Sequence, residues 1–84
     1  MVKLIQRVTA ALRQSFPNSR VELEQASPAQ KVAGFLIWQG FEGQEQIKRQ
    51  RQMWKILREH LTKQEQLQIT AILTATPDEM PAVH

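Results

Sequence analysis

The stretch Gly40-Phe41-Glu42-Gly43-Gln44-Glu45-Gln46-Ile47-Lys48-Arg49-Gln50-Arg51 joins an apolar run to a long basic segment, and that junction sets the topology. Upstream, Lys31 to Trp38 is a nearly continuous apolar, β-rich run of strand length. Downstream, Ile47, Met53, Trp54, Ile56, Leu57 and Leu61 recur at helical spacing as far as Thr62, with Glu42 and Glu45 near the positive N-terminal end. Leu67 to Thr74 then alternates, placing Leu67, Ile69, Ala71 and Leu73 on one side of a further strand. Strand, helix and strand make a crossover, so the two strands should run parallel in one sheet with a right-handed connection. Between them, the glycines turn the chain by taking positive φ, and Phe41 packs inward.

Nearer the N-terminus, Leu4, Ile5, Val8, Ala11, Leu12 and Phe16 mark an amphipathic first helix, which Pro17 cannot continue. Arg20 to Glu24 alternates with period two, so Val21 and Leu23 face the core of a half-buried strand. A loop around Ala26 to Gln30 then closes a hairpin. The order is α-β-β-α-β: an α+β fold of two layers, a three-stranded mixed sheet with helices on one face. Trp54 belongs to the core, and Trp38 is a strand aromatic with either side of the sheet open to it. Thr76-Pro77-Asp78-Glu79 reads as a turn or a new helical start within a loose tail over 76–84. The whole of 1–84 reads as a single domain without repeats.

Eighty-four residues bury a small core, about 60–65% of the unfolded surface, which favours a surface function over a deep catalytic cavity. No cysteine is present, which removes disulfides, thiolate nucleophiles and self-supplied Cys-ligated metal sites and fits a reducing, cytoplasmic setting. Phe35 to Trp38 is far below the roughly 20 residues a membrane span needs, so no membrane association is expected. The first 21 residues carry Lys3, Arg7, Arg13 and Arg20 and no acid, as a transit peptide would, but they are not Ser-rich and the fold needs them as its first helix. There is no Ser/His/Asp order, no phosphate loop and no carboxylate pair in a cleft, so an enzyme is not expected.

The net charge of +3 is concentrated in residues 42–63, where Lys48, Arg49, Arg51, Lys55, Arg58 and Lys63 oppose Glu42, Glu45 and Glu59. Lys48, Arg51, Lys55 and Arg58 follow at steps of three, four and three, along one helix face with Arg49 beside them. Phosphates favour such a stripe, although without aromatic stacking partners it implies weak, non-specific nucleic-acid contact. Gly40-Phe41-Glu42-Gly43 also fits the G-x-x-G loop of nucleic-acid-binding KH domains, but here it follows a strand and Glu42 repels phosphate.

Taken in order, Phe41-Glu42-Gly43, Arg49-x-Arg51, the helix ending in Leu61 and the closing Thr76-Pro77-Asp78-Glu79 resemble the BolA-like proteins over roughly residues 4–80. The resemblance implies an α-β-β-α-α-β arrangement related to the type II KH domain. It also implies either DNA-binding regulation or pairing with a monothiol glutaredoxin around a shared [2Fe-2S] cluster. The family's histidine ligand lies between the two arginines, where this chain has Gln50, and the loop that supplies a second ligand, Gln25 to Gln30, has neither Cys nor His. An amide is a poor donor to cluster iron, which prefers thiolate or imidazole. His60 lies ten residues from Gln50, roughly 15 Å along a helix, and His84 is the last residue, so neither substitutes in place. The expectation is an adaptor that docks a monothiol glutaredoxin without a cofactor of its own, using Lys48, Arg49, Arg51, Lys55 and Arg58. The alternative is a nucleic-acid-binding regulator using the same face.

Overall fold

The computed structural model describes residues 3–26 and 31–80. Helix α1 (Leu4–Ser15) leads into β1 (Arg20–Ala26) and β2 (Lys31–Ile37), which pair antiparallel from Arg20↔Ile37 to Ala26↔Lys31. A 3-10 turn at Gln39–Phe41, the long helix α2 (Gln46–His60) and a short α3 (Lys63–Leu67) then return the chain to β3 (Ile69–Ala75), parallel to β2. The sheet order is β1-β2-β3, and a second 3-10 turn at Pro77–Glu79 follows it. This is the mixed three-stranded sheet expected of a strand-helix-strand crossover beside a hairpin.

Two helices and one sheet face enclose the core. Val8 and Leu12 on α1 and Phe16 at its C-cap meet Val32 and Leu36 on β2, Phe41, Met53 and Leu57 on the crossover, and Ile72 on β3. Val21 and Leu23 pack against this cluster from β1, as their alternation requires, and Trp54 borders it half-buried. Trp38, just past β2, makes edge contacts with Phe16 and Phe41 at centroid distances of 5.0 and 5.1 Å. Its indole N–H donates to the Pro17 carbonyl at 2.9 Å, which satisfies the polar end of an otherwise apolar contact. The turn at 40–43 departs from expectation in one detail: Gly43 alone of its glycines has positive φ, at 81°, while Phe41 is fully buried.

The third strand differs more. Leu67 ends α3 and is 74% exposed, because Thr62 and Glu65 close a capping box that starts a helix at Lys63. The β2–β3 register then slips between Val32 and Ala33, so that Val32 opposes Ile69 but Ala33 opposes Ala71. Thr70 is the extra residue, and it reverses the phase of the alternation. Ile69, Ile72 and Thr74 therefore point at the helices, while Ala71 and Leu73 are turned outward. Residues 76–80 are not loose either: Thr76 is buried, and Pro77–Glu79 form a turn held to α2. The hairpin tip at 27–30 and residues 81–84, including His84, lie outside the described residues.

Candidate functional site

The first half of α2 and the outer edge of β3 form one surface, built by the helical row through Gln46 and Gln50. In a parallel pair, alternate residues turn their backbone groups to the partner strand or away from it. The Ala75 carbonyl turns inward and accepts from the Trp38 N–H, so the carbonyls of Ile72 and Thr74 face the free edge. Two glutamine side chains meet them. The Gln50 amide Nε2 donates to the Ile72 carbonyl at 2.9 Å and to the Thr74 hydroxyl at 3.3 Å. Gln46 donates Nε2 to the Thr74 carbonyl at 3.1 Å and accepts from the Thr74 hydroxyl at 2.8 Å. An exposed sheet edge is thus covered by amides four residues apart on one helix face.

Arg49 stands apart from the other basic residues. It lies in the row Arg49, Met53, Leu57 and is only 4% exposed. Its guanidinium donates Nε to the Gln44 carbonyl at 2.9 Å and grips the Glu79 carboxylate through two bonds of 2.6 and 3.1 Å. The Phe41 ring lies beneath it, 5.8 Å from the guanidinium carbon. The hydrogen bonds from Arg49, and then the backbone N–H of Thr76, hold the Glu79 carboxyl down at about 2. Arg49 therefore fastens the chain after β3 to α2 and does not belong to the outward basic stripe, contrary to the expectation from charge alone.

Lys48, Arg51, Lys55 and Arg58 are all exposed, and none of them makes an ion pair among the described residues. Ile47, 55% exposed, and half-buried Trp54 flank Gln50 on the same side of the helix. His60 is exposed at the end of α2, where Arg7 from α1 donates to its carbonyl at 3.2 Å and also pairs with Glu65 of α3. The residues that sequence reasoning overlooked are Gln46, Thr74 and Glu79. Only the four-residue step from Gln46 to Gln50 signalled any of these contacts beforehand.

No protein-family model matches the chain, and none of the curated proteins does. Solved structures do. BolA1 from Arabidopsis thaliana superposes with a TM-score of 0.73 over 96% of this chain and all of its own, at 23% identity. A BolA protein homologue from Coxiella burnetii gives 0.65 at 27% identity, covering 94% of this chain and 96% of that one. A Bol-like protein from Babesia bovis gives 0.65 at 25% identity, covering 94% and 90%. The element order and near-complete coverage of both chains agree, and this chain has the fold of the BolA-like proteins.

Proposed function

We propose that this chain is a non-enzymatic BolA-like adaptor that docks a monothiol glutaredoxin on the outer face of α2 and the β3 edge, without supplying a ligand to a [2Fe-2S] cluster. The observation that carries this is the engagement of Gln50. Its amide nitrogen is a proton donor already directed at the Ile72 carbonyl and the Thr74 hydroxyl, which is chemistry unlike that of an imidazole lone pair offered to iron. The residue at the ligand position does not fit the cluster. Recognition then depends on shape and charge, for which Ile47, Trp54 and the exposed cations provide an apolar centre with a basic border. Co-expression with a monothiol glutaredoxin, followed by size-exclusion chromatography, tests the docking. A one-to-one complex that Arg51→Glu weakens is expected, and separate elution of the two proteins overturns it.

A second reading has its own observation: Lys48, Arg51, Lys55 and Arg58 point outward with no acidic partner among the described residues. Such a stripe attracts phosphate whatever its source. It supports weak duplex contact, tested by titrating labelled DNA at low salt, where lack of binding removes this reading.

A further inference from the structure

We propose that the uncovered face of the sheet docks one amphipathic helix of a partner protein, apolar where it lies on Ala33, Phe35, Ala71 and Leu73 and carrying lysine or arginine on the flank above β1. A sheet with one wet face ordinarily turns polar side chains outward. Here both helices pack on one face, yet the cross-strand pairs Ala33↔Ala71 and Phe35↔Leu73 on the other face are entirely apolar. Leu73 is 55% exposed, and together with Glu22, Glu24 and Gly34 these residues line a shallow trough of about 520 Å³. An apolar floor of this kind on an otherwise polar surface marks an interaction site.

Charge and width together choose the occupant. Acidic groups border the floor on one side only, where Glu22 stands opposite Phe35 and Glu24 opposite Ala33, while the outward residues of β3 are uncharged. Glu22 is paired with Arg20, but the exposed Glu24 carboxylate has no ion pair or hydrogen bond among the described residues. Three strands about 4.8 Å apart span about 10 Å, the width of one helix. A second copy of this chain fits less well. Stacking its sheet here places Glu24 over that copy's uncharged β3 or against its β1, and the cations that copy carries on this face, Arg20 and Lys31, are already held by Glu22 and the Leu67 carbonyl. The face lies opposite the helix layer, so its occupation does not depend on what α2 binds.

The test uses the whole isotope-labelled chain and two synthetic helical peptides, identical leucine-striped sequences with lysine or glutamate along one flank. The lysine peptide is expected to shift the backbone amide resonances of Ala33, Phe35, Ala71 and Leu73 saturably, leaving those of α2 in place. Leu73→Lys should weaken it about tenfold, and Glu24→Lys should reverse the preference toward the glutamate peptide. Both side chains point outward, so the fold tolerates these changes. No saturable shift up to about 1 mM peptide overturns the proposal, as does equal binding of both peptides that Glu24→Lys leaves unchanged. Concentration-dependent dimerisation of the protein alone, abolished by Leu73→Lys, also overturns it and assigns the face to a second copy.

Discussion

At the scale of single residues, the molecule turns on two neighbours in α2 that point in different directions. Gln50 covers the β3 edge and Arg49 anchors the chain beyond it. Gln50→Ala should cost about 1 kcal/mol in chemical denaturation, the usual net worth of such a hydrogen bond. Arg49→Ala should cost more, about 2 kcal/mol or above, because a buried charged donor loses its carboxylate, carbonyl and ring contacts together. The Arg49–Glu79 pair also sets an acid limit. The Glu79 carboxyl is held at about 2, below its ordinary value of 4.5, so the contribution is complete above about pH 5 and fades as pH falls from 4.5 towards 2. Glu79→Gln should flatten that part of the melting-temperature profile, and a profile as steep as wild type would show that the pair is not formed. The burial of Arg49 was legible in principle, since it precedes Met53 by four and Leu57 by eight. Counting charges along the chain conceals this, because a count has no direction.

At the scale of elements, α1, β1 and α2 were readable because each carries a clear period, and β2 because its apolar, β-rich run has strand length. The structure adds α3 and shifts the start of β3. The signal for α3 was Thr62-x-x-Glu65, a start signature too short to show as periodicity over a five-residue helix. Thr62→Ala should therefore destabilise the protein by about 1 kcal/mol, measured by thermal or denaturant unfolding. The inward face of β3 could not be read, because the bulge at Thr70 arises from pairing with β2 and leaves no mark in the alternation of β3 alone. Gly34 shows the same dependence on pairing. A Cβ there would collide with the backbone carbonyl of Glu22 on the neighbouring strand, so Gly34→Ala should loosen β1 from β2. Amide hydrogen exchange in β1 would report it as a loss of protection.

At the scale of the whole molecule, the basic stripe and the apolar sheet floor lie on opposite faces. The cations of α2 lie on the helix layer, and the apolar floor with Glu22 and Glu24 lies on the open sheet. If the stripe contacts DNA through its four cations, affinity should fall about a hundredfold between 50 and 200 mM salt. Salt-independent affinity would exclude phosphate contact as its source. The position of Gln50 was visible in the sequence, but its commitment to Ile72 and Thr74 was not, because it needs β3 folded against α2. As proposed, this commitment leaves a BolA-like scaffold without its cluster ligand. What decides it is the iron and acid-labile sulfide content of the purified complex with a monothiol glutaredoxin, read with its visible absorption, for wild type and Gln50→His. A colourless wild-type complex with negligible iron, and absorption that rises in Gln50→His, is expected. A coloured wild-type heterodimer holding two irons, with a spectrum unchanged by substitution of Gln50, would contradict it.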